Sequence, residues 1–242
     1  MIQVLKKELN GFLNSLIGYI VISVFLTGIG LLMWVFPETS VLDYGYADME
    51  TLFSLGPYVF MFLIPAITMR MFAEEKRAGT MELLLTKPLT DWEIIFGKYF
   101  SGFLLVAFAL LPTLIYFYTI YHLGNPVGNV DTAGVVGSYI GLLFLGGVFT
   151  SVGIFSSLIT TNQIVSFIIA VFLCFFIYTG FESLAAINVW GSASLFLEQF
   201  GILYHYRAMS KGLIDTRNLI YFLSMISFML LLTKLILGSR KW

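Results

Sequence analysis

Long uncharged stretches divide this sequence and limit what it can fold into. They are Leu16–Phe36, Leu52–Met69, Tyr99–Tyr121, Thr132–Phe181 and Asn218–Thr233. A helix that crosses a bilayer needs about 20 mostly apolar residues. The fourth stretch is long enough for two spans, and its polar residues Thr160–Gln163 divide it. The last becomes long enough when the side chain of Lys234 reaches to the membrane surface.

The stretches predict an all-α polytopic membrane protein with six transmembrane helices in a single domain, residues 1–242. The predicted spans are approximately 16–36, 52–72, 97–121, 135–159, 164–184 and 218–237. The first is expected to be a retained span and not a cleaved signal peptide, because it is too long and no A-x-A site follows it.

Composition agrees with lipid as the main solvent. Hydrophobic residues make up 59% of the chain and charged residues 11%, whereas soluble domains carry about 25% charged residues. The net charge of −1 provides no basic field for nucleic acid. A single cysteine, Cys174, allows no intrachain disulfide, and no Cys/His cluster of metal-binding spacing is present.

The distribution of Lys and Arg predicts the orientation of the spans. An even number of spans places both termini on one side, and positive charge is enriched in cytoplasmic loops. With the termini in the cytoplasm, most of the 13 basic residues are cytoplasmic: Lys6, Lys7, Arg70, Lys76, Arg77, Lys87, Lys98, Lys234, Arg240 and Lys241. Only Arg207, Lys211 and Arg217 then lie outside.

Two segments outside the spans have helical patterns of their own. Near the N-terminus, apolar residues recur at three- and four-residue spacing, which predicts an amphipathic helix on the inner membrane surface: Ile2, Leu5, Leu9, Phe12, Leu13 and Leu16. This segment is alternatively the lower end of the first span. The half-apolar segment Ile187–Tyr206 is predicted to form one or two short external helices, with a seventh span as the alternative.

The densely charged segment Glu74–Tyr99 encloses a short apolar run, Met81–Leu85. Gly79 is placed to end the helix that leaves the second span, and Thr80 to cap a new short helix with Glu82 near its start. Pro88 stops that helix. Thr90-Asp-Trp-Glu93 is a capping box, so a further helix starts in water and runs into the third span. An exposed apolar helix with a charged rim indicates a protein contact, or alternatively a helix resting on lipid.

The run EEKRAGTMELLLTKPLTDWEIIFGKY resembles the permeases of type-two ABC exporters. The resemblance covers the whole chain, and it implies a cytoplasmic coupling helix that docks on a separate ATPase. The residues it assigns to ATPase coupling are Glu75, Gly79, Thr80, Met81, Glu82, Leu83, Leu84, Leu85 and Pro88, with Gly97 and Lys98 matching at the next helix.

A second run, FGILYHYRAMSKGLIDTRNLIYFLS, is similar to the external helix of that family and the last span that follows it. The matching residues are Gly212, Leu213, Ile214, Asp215 and Arg217, while the preceding Tyr204–Lys211 follows the family pattern loosely. Within the family, the permeases of gliding-motility-associated transporters are the most similar group. That resemblance implies a bacterial inner-membrane location and an auxiliary membrane subunit.

Motifs for independent catalysis are missing from the sequence. There is no Gly-x-x-x-x-Gly-Lys-Ser/Thr loop, no His-Glu-x-x-His and no nucleophile motif. The chain is therefore expected to be no enzyme and to bind no cofactor, with Mg-ATP held by a partner ATPase. The other expected partners are membrane lipid and a second permease protomer or auxiliary subunit. No nucleic-acid partner is expected.

Three residues are candidates for an external gate: Glu182, Gly212 and Asp215. Glu182, at the outer end of the fifth span, is alternatively an acid that simply reaches water. Small residues around Gly137 and Gly141 give the fourth span a smooth face, suited to packing within the chain or to dimerisation. Pro57, Pro65 and Pro112 are expected to bend the second and third spans.

The sequence thus predicts the permease subunit of an ABC exporter, driven by two ATPase subunits. Two rival functions remain at this point. A non-transporting membrane scaffold would need no ATPase contact. An ion-driven secondary carrier would need ionisable groups at mid-membrane, and the charges recognised near spans, Arg70, Glu182 and Lys234, all lie near span ends. No feature of the spans identifies the substrate.

Overall fold

The computed structural model describes residues 1–43, 45–187, 194–212 and 215–239, and within these ranges the chain forms thirteen α-helices. They are α1 Ile2–Leu13, α2 Leu16–Trp34, α3 Glu50–Thr68, α4 Ala73–Arg77, α5 Met81–Leu85, α6 Asp91–Leu110, α7 Leu114–Leu123, α8 Thr132–Ile159, α9 Gln163–Phe175, α10 Phe181–Ala185, α11 Ser194–Gln199, α12 Ile202–Ser210 and α13 Thr216–Gly238. A 3₁₀ turn at Leu111–Thr113 joins α6 to α7, and a π-helical segment at Phe176–Gly180 joins α9 to α10.

Six helical stretches are long and apolar enough to cross a membrane. They are Leu16–Trp34, Glu50–Arg77, Asp91–Leu123, Thr132–Ile159, Gln163–Ala185 and Thr216–Gly238. The prediction of an all-helical protein with six spans is therefore confirmed. The second and third stretches extend beyond their predicted limits, because helical structure continues through α4 and starts again at Asp91.

Helix α8 lies at the centre of the bundle and contacts α3, α6, α9, α12 and α13. Its glycines allow this close packing. A Cβ atom built at Gly146 would lie 2.8 Å from Cγ1 of Val106, and one at Gly153 would lie 2.0 Å from Oγ1 of Thr68. The small-residue face of α8 therefore packs within the chain, which supports that interpretation over dimerisation.

The prolines interrupt the spans to different degrees. Pro112 lies in the 3₁₀ turn, so α6 ends at Leu110 and α7 begins at Leu114. The interruption lies at the position where a bend in the third span was predicted. Pro57 and Pro65 lie inside α3, which stays helical to Thr68.

Helix α1 is separate from the first span, as predicted. Ser15 forms the N-cap of α2, and its side chain accepts a hydrogen bond from the N–H of Gly18 at 3.1 Å. The buried face of α1 overlaps the predicted apolar stripe only in part. Phe12 of the stripe is buried against the protein, but so is Val4, which lies outside it, while Ile2 of the stripe is 63% exposed. The cause is tertiary: α1 packs along α6, and this neighbour selects the buried face.

The two helices between the fifth and sixth spans are short, as predicted. Helices α11 and α12 have six and nine residues, too few for a seventh span. Residues 188–193 of the predicted segment lie outside the described ranges. Helix α12 packs beside the beginnings of α3 and α8, whereas α5 follows the other end of α3. We refer to the two ends of the bundle as the α5 end and the α12 end.

Candidate functional site at the α5 end

The segment between the second and third spans folds as its turn residues predict. Gly79 has φ = 67°, a left-handed conformation that favours glycine, and it ends α4. Thr90 begins α6 with a complete capping box: its side chain accepts from the N–H of Glu93, and the Glu93 carboxylate accepts from the N–H of Thr90 at 3.0 Å. Helix α5 is therefore held between two arms with fixed ends, α4 and α6.

Helix α5 has an inner and an outer face. Met81 and Leu84 are buried, with 5% and 9% of their area exposed, and they belong to the core. Leu83 is 65% exposed, and Glu82 and Pro88 are also exposed. The inner residues thus anchor the helix, and an apolar side chain with an acidic neighbour faces outward.

Not all residues assigned to ATPase coupling share this outer surface. Thr80 is the residue before α5, but its side chain makes no capping bond and contacts the carbonyl of Glu75 instead, at 3.3 Å. The expected Thr80 side-chain cap is therefore wrong, because the hydroxyl turns back towards α4. Glu75 itself is only 8% exposed. Leu85 belongs to α5, and its side chain lies outside the described part of the chain.

Glu75 belongs to a charge cluster that also contains Lys98 and Glu8, which are mostly buried, and Lys7, which is 62% exposed. We call it the Lys98 cluster. The Lys98 side chain is fully buried, and its Nζ atom lies 2.7 Å from Oε1 of Glu8 and 3.0 Å from Oε2 of Glu75. Lys7 completes the cluster with Nζ at 2.6 Å from Oε1 of Glu75. Lys98, which the charge pattern assigns to the cytoplasmic side, thus has its charge compensated inside the protein.

Additional contacts hold the Lys98 cluster in place. The Lys98 ammonium donates to the carbonyl of Met71 and lies 4.7 Å from the centroid of the Phe72 ring. Partial burial lowers the pKa of Lys7, but the hydrogen bond and charge of Glu75 outweigh that effect and raise this pKa above its ordinary value. Two cations and two anions make the cluster electrically neutral, and its largely exposed member, Lys7, balances the second carboxylate. Neutrality lowers the cost of burying the other three charges.

Ser157, near the end of α8, ties the arm α4 to the centre of the bundle. Its Oγ accepts from the N–H groups of Phe72 at 2.9 Å and Ala73 at 3.0 Å, and it donates to the carbonyl of Met69 at 2.9 Å. The side chain thus satisfies backbone groups that the break between α3 and α4 leaves free. Lys76 also donates to the Leu158 carbonyl at the end of α8.

The three candidates for an external gate lie near the α12 end. Glu182 pairs with Arg207 of α12 at 2.8 Å, and both side chains are substantially exposed. Gly212 has φ = 77°, and its Cα would lie 2.9 Å from a Cβ built at Gly137. Asp215 caps α13 through the N–H of Arg217, and this bond holds the pKa of its carboxyl below the ordinary value. Leu213 and Ile214 lie outside the described residues.

A cavity of about 610 Å³ opens at the α12 end between the beginnings of α3 and α8 and the helix α12. Tyr58, Tyr178 and Tyr206 contribute to its wall, with Glu50 and Lys211 among its charged groups. The hydroxyl of Tyr206 donates to the Phe53 carbonyl at 2.7 Å, so α12 is fixed to the start of α3.

Sequence reasoning missed Glu8 and Ser157. Glu8 lies four residues from both Val4 and Phe12 and thus on the buried face of α1, but packing against α6 selects that face, so the sequence carried no signal for it. Ser157 carried no signal either, since a serine in an apolar span is usually bonded to its own helix. The partners of both residues are far away in sequence.

Among the described residues, no group of three or more His, Cys, Asp or Glu side chains is placed to hold a metal ion. The described geometry is suited to transmitting force: α5 faces outward and is connected to the second span through α4, to the third span through α6, and to α8 through α4 and Ser157. No individually curated protein matches the sequence. A family model described as ABC-2 family transporter protein matches residues 2–239. The chain therefore belongs to the ABC-2 transporter family and is a multi-pass permease subunit of an ABC transporter, a transport component whose partner is an ABC ATPase subunit.

Proposed function

We propose that the chain is the permease of an exporter in the bacterial plasma membrane, and that α5 is the helix on which its ATPase docks. The observation that carries this proposal is the exposure of Leu83 on a helix whose neighbours Met81 and Leu84 are anchored in the core. Exposed apolar side chains on a rigid, charge-rimmed element are typical of protein contacts.

In this proposal the α5 end faces the cytoplasm, where ATP is available. The charge pattern supports this orientation. Of the described residues, Lys6, Lys7 and Arg70 belong to elements at the α5 end, whereas Arg207 and Lys211 lie at the α12 end. Arg240 and Lys241, which belong to the predicted cytoplasmic set, lie outside the described residues. Both termini would then be cytoplasmic.

Docking on α5 would transmit force through its two arms. The ATPase pushes on the outer face, and the buried Met81 and Leu84 prevent α5 from moving independently of the bundle. The arm α4 leads to the second span and, through Ser157, to α8. The arm α6 is itself the start of the third span. At the other end, α12 with Glu182, Gly212 and Asp215 forms the external gate over the 610 Å³ cavity.

The composition of the full transporter is part of the proposal. Two ATPase subunits would bind Mg-ATP and drive two membrane subunits, either two copies of this chain or this chain and a related protein. The resemblance of Glu74–Tyr99 and Phe200–Ser224 to gliding-motility permeases supports a gliding association and an auxiliary membrane subunit. Export then serves the surface machinery of a gliding cell.

The test is affinity purification of the tagged chain from native membranes, with partners identified by mass spectrometry. We expect an ABC ATPase with the wild type and with Val127→Asp, a matched control in which an exposed apolar residue near the α12 end gains the same charge. We expect its loss with Leu83→Asp, while the variant inserts and elutes normally. Leu84→Asp is a poorer test, because that side chain is buried and its replacement disturbs the fold.

Equal recovery of the ATPase with Leu83→Asp would rule out docking on α5. Recovery of folded wild-type protein without any ATPase would favour the membrane scaffold. Transport that depends on an ion gradient and not on ATP would favour the secondary carrier.

A further inference from the structure

The N-terminal helix α1 contacts α6 at its beginning, both α4 and α6 near its middle, and the turn between α3 and α4 at its end. The residue before α1, Met1, has its amino group 3.6 Å from Oε1 of Glu93 on α6. One turn later, Val4 packs so closely on Gly97 that a Cβ atom there would lie 2.9 Å from the Cβ of Val4. The missing side chain of Gly97 therefore allows α1 to pack closely against α6.

The Lys98 cluster joins the same helix to both arms at once. Lys98 belongs to α6, Glu75 to α4, and Lys7 and Glu8 to α1. The buried Lys98 ammonium donates a hydrogen bond to Glu8 of α1 and forms an ion pair, without a hydrogen bond, with Oε2 of Glu75 on α4. These two contacts favour a fixed separation of α1, α4 and α6. Any relative movement would leave a charge in the interior without its partner, and that is strongly unfavourable.

The far end of α1 is tied to the beginning of the α4 arm and to the first span. Nη2 of Arg70 lies 3.3 Å from the carbonyl of Gly11, and Nη1 lies 3.5 Å from Oγ of Ser15. Ser15 is also the N-cap of α2, and only Asn14 separates it from α1. This tight turn leaves little freedom between α1 and the first span: a Cβ at Gly18 would lie 2.3 Å from the Phe12 carbonyl.

We infer that Lys98 is a positioning residue that makes α1 a moving part of the coupling unit, so that force applied to α5 also reaches the first span through α1. Without this link, the arms would drive only the second and third spans and, through Ser157, α8. With it, α1, α4 and α6 move as one body, and α2 follows. The inference rests on the proposed docking of an ATPase on α5, and it adds α1 and the first span to the moving parts.

The test measures amide hydrogen exchange in the purified complex, with and without a non-hydrolysable ATP analogue. In the wild type, we expect the nucleotide to change exchange in α1 and in α6. Effects between linked sites are usually about fivefold or more in an equilibrium constant, which is well within reach of the method. A helix that is only part of the fold would show no response to nucleotide.

Two variants separate positioning from folding. Lys98→Met removes the shared ion-pair partner of Glu8 and Glu75, and it is expected to increase amide hydrogen exchange in α1. The triple variant Glu8→Gln, Glu75→Gln, Lys98→Met removes the three mostly buried charges while keeping similar shapes, and it leaves only Lys7, which is largely exposed. It is expected to fold and bind the ATPase as the wild type does. In it we expect α6 to keep its nucleotide response and α1 to lose most of its own. Lys6→Met, at an exposed position of α1, is the matched control and should respond as the wild type does.

Each outcome is decisive. A nucleotide response in α6 but not in α1 of the wild type would overturn the inference and leave ATPase docking intact. So would a triple variant in which α1 responds fully. Failure to recover any ATPase with the wild type is a different result, because it overturns the proposed function itself and the inference with it.

Discussion

Gly153 provides the sharpest test of the packing around α8. In Gly153→Ala, the new Cβ atom would lie 2.0 Å from Oγ1 and 2.9 Å from Cβ of Thr68 on α3. Rotating the Thr68 side chain does not relieve the clash, because its own Cβ stays too close. Rotation would also break the hydrogen bond from its hydroxyl to the Ile64 carbonyl, which measures 2.9 Å. The helices α3 and α8 must therefore move apart.

The magnitude follows from three terms. Overpacking a close-packed core costs about 1–3 kcal/mol, and the lost hydrogen bond adds about 1 kcal/mol. The better helix propensity of alanine returns about 1 kcal/mol. The net destabilisation is about 1–3 kcal/mol, which for a chain of this length lowers Tm by roughly 2–12 °C.

The assay is thermal unfolding in detergent, followed by the fluorescence of the four tryptophans. Gly28→Ala in α2 is the control, because no atom lies within 4 Å of a Cβ built at that glycine. Its Tm should stay unchanged or rise. Adding Thr68→Ala to Gly153→Ala should recover only part of the loss, since the Cβ of residue 68 remains. Equal Tm values for Gly153→Ala and Gly28→Ala would refute the close approach of α3 and α8.

Three further predictions concern stability in the same assay. Ser157→Ala should lower the free energy of unfolding by about 2 kcal/mol or more, because it leaves buried N–H groups without their acceptor. Ser166→Ala, the control, should lower it by almost nothing, since the Ser166 hydroxyl has no hydrogen-bond partner among the described residues. Equal losses of stability in the two variants would contradict the role of Ser157. Thr90→Ala should cost about 1 kcal/mol through loss of the capping box, seen as a lower Tm that Thr90→Ser restores. Glu182→Gln should change stability by less than about 1 kcal/mol, because its ion pair is exposed; a large fall in Tm would show that the pair is structural.

Features determined by neighbours in sequence could be predicted from sequence. The six spans follow from the uncharged stretches, and the limits of α4 and α6 follow from Gly79 and the Thr90 capping box. These signals need only a few adjacent residues, because a cap or a hydrophobic run acts through its own backbone.

Features determined by distant residues could not be predicted. A five-residue helix makes little more than one turn, so no periodic pattern in the sequence shows that Leu83 faces out and Leu84 faces in. The burial of Lys98 depends on Glu8, which is 90 positions away in the chain. Lysines near span ends usually extend to the membrane surface, and nothing in the local pattern distinguishes this one from them.

The Lys98 cluster also has a consequence for biosynthesis. A ribosome makes Glu8 and Glu75 before it makes Lys98, so for part of synthesis Glu8 has no buried cation to meet it. Until Lys98 is made, Glu8 has the largely exposed Lys7 nearby, at 3.8 Å, but no buried cation, and a carboxylate without a buried partner stays in water because the cost of burying it is high. Helix α1 therefore cannot pack against the protein when only the first two spans have entered the membrane. It stays at the membrane surface until the third span, which carries Lys98, is synthesised. The N-terminal half of the protein is thus expected to mature in a single step, after span three, and a nascent chain that stops before residue 98 should keep α1 open to proteases.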